Sequence, residues 1–179
     1  MRTATVTVPT GVPRTFGRDE VIVSKTDLKG RITYVNDVFV RVSAYEEAEL
    51  LGHPHSVIRH PEMPRGLFRL LWETIEAGEE VFAYINNLAR DGAHYWVLAH
   101  VTPSRDARGA VVGYHSNRRS PDAAAIARIE PVYARMRAAE AGHQRATDAA
   151  AASRRALEAE LDGQPYDEFV WQLIEETRS

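Results

Sequence analysis

VFAYINNLARDGAHYWVLAHVTPSRDARGAVVGY, residues 81–114, reads as three strands joined by two tight turns. Val81, Phe82, Tyr84 and Ile85 are strand formers in the first run, which the pattern places over residues 80–88. Asp91-Gly92 is a hairpin signal, because a two-residue turn that follows the strand twist needs the positive φ these residues tolerate. Residues 94–102 give the second strand, Asp106-Ala107-Arg108-Gly109 another turn, and Val111-Val112-Gly113-Tyr114 the third strand. Upstream, Val21-Ile22-Val23 and Ile32-Thr33-Tyr34-Val35 flank the turn residues Thr26-Asp27-Leu28-Lys29-Gly30, a second hairpin.

Between the two hairpin units the alternation disappears and short helices take over. Asn36 or Asp37 can cap a helix carrying Phe39, Val40 and Val42. Ser43-Ala44-Tyr45-Glu46 fits a capping box ahead of a short helix at residues 46–51, stopped by Gly52. Pro54, Pro61 and Pro64 keep any helix between them to about a turn. Beyond Pro64, Leu67, Leu70, Leu71, Thr74 and Ile75 share one face of an amphipathic helix that Gly78 ends. Strand, strand, short helices, then three strands predicts an α+β domain: a five-stranded antiparallel sheet with short helices on one face, plus C-terminal helices.

The domain expectation is an N-terminal cap at residues 1–19, a sensor domain at 20–119 and a helical signalling or dimerisation extension at 120–179. Pro9, Gly11 and Pro13 break up the cap. Ser120-Pro121-Asp122 starts the extension, which is rich in Ala, Glu and Arg. A heptad frame through Ile126, Tyr133 and Leu161 is interrupted by Glu140, His143, Thr147 and Arg154, and Gly142 lies at that weak point. One coiled coil and two helices folded back are therefore equally open. Tyr166, Phe169, Val170, Leu173 and Ile174 mark the face of a docking helix over residues 164–177.

Bulk composition excludes several functions. A net charge of −3 offers no basic face for nucleic acid. No run approaches the length of a membrane helix, and no apolar leader opens the chain, so a cytoplasmic protein without membrane insertion is expected. There is no cysteine, hence no disulfide, thiolate metal site or thiol nucleophile. No catalytic frame stands out: no Ser-His-Asp arrangement, no phosphate-cradling glycine loop and no His-Glu-x-x-His metal site, so neither an enzyme nor a metal centre is expected.

Thr26-Asp27-Leu28 through Asn36-Asp37-Val38-Phe39, then Val42-Ser43-Ala44-Tyr45, resembles the opening of a PAS domain. Gly52-His53-Pro54-His55-Ser56-Val57-Ile58-Arg59-His60-Pro61-Glu62-Met63-Pro64 narrows the resemblance to the FAD-binding PAS domains of aerotaxis receptors. Leu71-Trp72, Asp91-Gly92 and His94-Tyr95-Trp96-Val97 fit the same pattern, so the likeness spans about residues 20–135. It implies noncovalent FAD whose redox state is the signal, with Asn36, His55, Arg59, His60, Trp72 and Asn87 as contacts. Two departures stand out: Glu62 in the His-Pro-acid-Met-Pro run, and Leu88-Ala89 where the family carries basic residues before the hairpin. The chain ends at Ser179 without the receptor's anchor and signalling domain, so the expected partner is a separate chemoreceptor or histidine kinase, with the chain itself a homodimer.

The chemistry agrees with that implication. Trp72, Trp96 and Phe82 can supply apolar and stacking surface for a flat ring. Asn87 can present a donor and an acceptor to a ring edge whose protonation changes, and Arg59 suits bidentate phosphate recognition with His60 beside it. The hydrogen-bond change at Asn87 would pass along the sheet through residues 114–119 into the helix at Pro121. Each residue also has a plainer role: Trp72 in the core, Trp96 facing helices, Asn87 satisfying backbone, Arg59-His60 in a surface turn. His94, His100 and His115 read as structural. Competing readings are a haem-binding gas sensor using His53, His55 or His60, and a ligand-free dimerisation module. A cysteinyl-adduct photoreceptor is excluded by the missing cysteine.

Overall fold

Strand alternation builds the sheet of the computed structural model, which describes residues 7–177. β1 (Ile22–Thr26) and β2 (Ile32–Val35) form the first hairpin, and β3 (Val81–Leu88), β4 (His94–Arg105) and β5 (Val111–Arg119) the meander. Every pairing is antiparallel and the order across the sheet is β2-β1-β5-β4-β3. The five-stranded α+β expectation is met, although β4 and β5 run past the predicted ends at Thr102 and Tyr114.

Register fixes which side chains share a face. Ile85 lies opposite Val97, Asn86 opposite Trp96 and Asn87 opposite Tyr95. With a side-chain period of two, Ile85, Asn87, Ala99, Ser116 and Arg118 fall on one face, and Phe82, Asn86, Trp96 and His100 on the other.

The short helices cover the first of these faces. α1 (Asp37–Ser43) is capped by Asn36, whose Oδ1 accepts from the Phe39 N–H at 3.0 Å, and it buries Phe39 and Val42. The expected capping box at Ser43 is not where the next helix starts. Ser43 ends α1, Ala44 sits at φ 57 as its C-cap, and α2 (Glu47–Leu50) begins after Glu46, whose N–H meets the Glu49 carboxylate at 3.1 Å. A single 3₁₀ turn, His55–Ile58, is what the prolines permit. α3 (Arg65–Glu76) follows and buries Leu67, Leu70, Leu71 and Ile75.

The extension folds back as α4 (Ala123–Glu140), α5 (Ala146–Glu160) and α6 (Tyr166–Thr177), turning at Gly142 and Gly163. Of the two alternatives, the continuous helix is therefore not formed. α5 packs on α3 and α4, and α6 packs on β3. Ile129, Met136, Leu157, Val170 and Leu173 are fully or almost fully buried there, each worth about 2 kcal/mol. That burial, rather than a heptad seam, determines the path of the tail. Residues 7–16 of the cap dock along the start of β4, where His94 N–H donates to the Val12 carbonyl and Arg14 N–H to the His94 carbonyl. Of the predicted cap, residues 1–6 lie outside the described residues. Among the described residues no helix is long and apolar enough to cross a membrane.

Candidate functional site

A cavity of about 250 Å³ opens between the sheet and the helical layer. Ser24 and Thr26 of β1, the 3₁₀ turn around His55, Arg59, the inner face of α3 and the inward residues of β3, β4 and β5 line it. Its walls are mainly apolar: Phe68, Leu71, Trp72 and Ile75 from α3, Ile85, Ala99 and Val101 from the sheet. Trp72 is held by an edge contact to Tyr114, with centroids 5.7 Å apart, and by the β1–β2 turn. There Gly30 has φ +72, and a Cβ on it would lie 2.9 Å from the indole, so the turn needs glycine for both conformation and space.

The cavity's polar groups are concentrated on the sheet side. Arg118 is 3% exposed and has no carboxylate partner among the described residues. Its Nη2 donates to Ser24 Oγ at 2.8 Å and to His55 Nε2 at 2.5 Å, and its guanidinium lies 5.3 Å from the Phe39 ring centre. Burial lowers the Arg118 pKa to about 10, which still leaves it charged at neutral pH. Burial, and then the Arg118 charge, push His55 well below the ordinary histidine value, so its ring is neutral and Nε2 accepts.

Among the described residues, the buried side-chain atoms without a hydrogen-bond partner are Asn87 Nδ2, Ser116 Oγ, Arg118 Nη1 and, on the opposite face, Asn86 Oδ1. An orphaned buried polar group costs about 1–3 kcal/mol. Asn87, Ser116 and Arg118 all line the same cavity, so a ligand there would recover that cost at several points together.

Of the residues singled out from the sequence, His55, Arg59, Trp72 and Asn87 come together on the cavity. Arg59 stacks over Phe68 at 3.9 Å, donates to the Met63 carbonyl at 3.2 Å, and its backbone bridges to Asn87. Asn36, His60 and Trp96 do not line it. The Asn36 amide is used up locally, with Oδ1 accepting from Val23 and Phe39 and Nδ2 donating to the Val21 carbonyl. His60 is buried, with Nδ1 accepting from the Glu62 N–H at 3.2 Å and its ring edge-on to His94. Trp96, like Phe82, faces the other side of the sheet, where it stacks on Tyr133 and borders a hollow of about 450 Å³ under α4. Its neighbours there include Asn86, Pro131 and Arg137.

Sequence reasoning missed Ser24, Ser116 and Arg118. The signal was parity: Tyr114, Ser116 and Arg118 alternate along β5, and an arginine on the apolar side of a strand is an anomaly that calls for a partner.

A five-stranded antiparallel sheet in this order, closed by short helices over a cavity, defines an α+β domain with an internal pocket. Residues 32–118 match the family model of the PAS fold, and the chain carries a PAS domain. Over 120 residues, 67% of its length, it is 40% identical to the aerotaxis receptor of Escherichia coli (strain K12), of which it spans 24%. It is 31% identical over 94 residues to the nitrogen fixation regulatory protein of Klebsiella pneumoniae, covering 52% of this chain and 19% of that protein. Among solved structures, a light-oxygen-voltage domain studied with a flavin analogue superposes over 62% of this chain and 84% of its own, with TM-score 0.54 and 22% identity. An RNA-binding light-oxygen-voltage receptor gives TM-score 0.53 and 24% identity over 57% of this chain and 30% of its own. Both likenesses concern the fold.

Proposed function

We propose that this chain is a cytoplasmic flavin-binding PAS sensor of redox or oxygen status, which holds FAD in the cavity and passes its state to a signalling protein. The observation that carries this reading is Arg118: a buried cation with one nitrogen unpaired, beside the unpaired Asn87 and Ser116, on a largely apolar slot. Such a slot suits a flat ring with a polar edge that accepts hydrogen bonds and can take up negative charge. The likeness to an aerotaxis receptor, and the shared fold with a domain studied with a flavin analogue, support the same choice.

A bound flavin supplies a reversible redox centre whose reduction adds electrons and protons at the ring's polar edge. Arg118 provides a fixed positive charge that favours the electron-rich state. Asn87 offers an amide that donates or accepts by turning over, so it can serve both states. Trp72 and the α3 leucine and isoleucine exclude water from one side. Arg59, which also lines the cavity, suits a phosphate of the cofactor's outer part. The volume matches a ring system better than a whole dinucleotide.

In this reading residues 20–119 sense, residues 1–19 cap, and residues 120–179 relay. β5 connects Ser116 and Arg118 directly to Asp122, the residue preceding α4, so a change of hydrogen bonding at the cavity reaches the tail within a few residues. The recipient is a chemoreceptor or histidine kinase, and the working unit is a homodimer. Haem is disfavoured because the His55 Nε2 is engaged by Arg118, the His60 Nδ1 by Glu62, and His53 is exposed.

The test is the visible spectrum of the purified protein before and after dithionite, with the pigment released by heat and identified by chromatography. A two-banded spectrum that bleaches, releasing FAD, is the expected result. A Soret band would replace the reading with a haem sensor. A colourless protein that takes up no added FAD would leave a ligand-free interaction module.

A further inference from the structure

α3 forms one wall of the cavity, yet it lacks a cap of its own. Its N-cap is Pro64, which offers no side-chain acceptor to the first-turn N–H groups. The acceptors come from the C-terminal helices instead. Arg65 N–H donates to Glu140 Oε1 at 2.5 Å, and Gly66 N–H donates to Ser153 Oγ at 3.2 Å. Glu140 ends α4 and Ser153 lies in the middle of α5.

The contact is closely fitted. A Cβ on Gly66 would lie 2.6 Å from the Arg154 backbone nitrogen and 2.7 Å from Ser153 Oγ, so only glycine lets α5 come this near. Ser153 is fully buried. The Glu140 carboxylate also lies where the positive end of the α3 dipole favours it, with Arg65 Nε 3.8 Å away. Arg137 adds a third tie, donating to the Glu62 carbonyl at 2.8 Å in the loop that leads from Arg59 into α3. On its other side the same helix presents Phe68, Leu71, Trp72 and Ile75 to the cavity, with Arg59 stacked on Phe68.

We propose that Glu140 and Ser153 are positioning residues for the cavity: the tail caps α3 from outside, so docking of α4 and α5 and filling of the cavity stabilise one another. This rests on the reading of the cavity as a flavin site. A wall helix whose first turn is capped holds its aromatic side chains in place, and a ligand that needs them there favours the docked tail. Linkage requires the effect to be equal in both directions. A partner that captured the released tail would weaken ligand binding, and a ligand change that disturbed the wall would release the tail.

The test uses the full chain, the Glu140→Ala/Ser153→Ala double variant, and Arg135→Gln, which breaks the Arg135–Glu160 pair between α4 and α5 but leaves both caps. Residue-resolved amide exchange is measured without ligand and with saturating FAD, and FAD affinity by titration. The expected result is faster exchange at Arg65 and Gly66 in the double variant and FAD binding weakened about five- to tenfold, the size of one lost N-cap. FAD should slow exchange across α5 in the parent by a similar factor, and this protection should vanish in the double variant while Arg135→Gln keeps it. Unchanged affinity in the double variant, or α5 protection that survives there, overturns the proposal. If the parent takes up no FAD, the flavin reading fails and the coupling proposal falls with it, whereas unchanged exchange at Arg65 and Gly66 would refute the capping alone.

Discussion

The two faces of β3 meet the same difficulty in opposite ways. Asn87 points to the cavity and Asn86 to the tail, and each has one amide atom without a partner. Outward, the chain covers most of its own sheet. Tyr133 donates to the Tyr84 carbonyl at 2.7 Å, and with its only hydrogen so used it accepts from the Tyr166 hydroxyl at 2.7 Å. Val170 and Leu173 seal that side with no exposure. Inward, Arg118 and Ser116 are left with free hydrogen-bonding capacity and no counter-charge. The outer face is thus organised for stability, whereas the inner face leaves buried polar groups unpaired, as the proposed ligand site requires. Substitutions on the two faces should therefore separate folding from binding.

The largest effect belongs to the outer face. Leu173→Ala should lose about 3 kcal/mol in urea unfolding, the usual cost of emptying a fully buried leucine site. A loss below about 1 kcal/mol would mean that α6 does not hold the sheet in solution, and the contrast would collapse. Arg118→Met is the inward counterpart. It should weaken FAD binding about 100-fold, since a buried charge-assisted contact disappears, yet leave the ligand-free protein within about 1 kcal/mol of the parent. Severe destabilisation with intact binding would make Arg118 a structural residue and reverse the assignment of the faces.

Tyr133→Phe sharpens the outward case. The ring keeps its stacking on Trp96, while the Tyr84 carbonyl and the Tyr166 hydroxyl lose their shared partner, so about 1–2 kcal/mol of stability should go. This network was not legible in the sequence. Tyr133 fitted a heptad position, and only its bond to the Tyr84 carbonyl and its stacking on Trp96 show that it packs against the sheet instead. The strands were legible because period-two alternation and the Asp-Gly turn are local signals. In the tail the docking face of α6 was legible from Tyr166, Val170 and Leu173, whereas the path of α4 and α5 stayed between two alternatives because an Ala-rich chain with a broken heptad is compatible with several partners. At the site, Asn36 illustrates the limit: one residue type suits both a helix cap and a ligand contact, and its three hydrogen bonds to the Val21, Val23 and Phe39 backbone favour the cap. Arg118 lay beyond the predicted end of β5, so its parity went unused.

The pH dependence of stability tests the inward electrostatics most directly. His55 is held below its ordinary value by burial and by Arg118, and burial lowers His60 as well. In the unfolded chain these histidines take up protons as pH falls through about 6.5, while in the folded protein they resist until lower pH. The unfolded state then binds more protons than the native state, so stability is fully present above about pH 6.5 and declines as pH falls below it. Each such histidine can contribute at most about 1.4 kcal/mol per pH unit. Urea unfolding between pH 7 and pH 5 should show that decline, and His55→Gln, which keeps an acceptor for Arg118, should flatten it by one histidine's share. FAD should leave most of the slope in place, because burial is the larger cause of the His55 depression and remains when the cavity is filled. A slope that flattens on binding would mean that the ligand draws Arg118 away from His55 and removes its share.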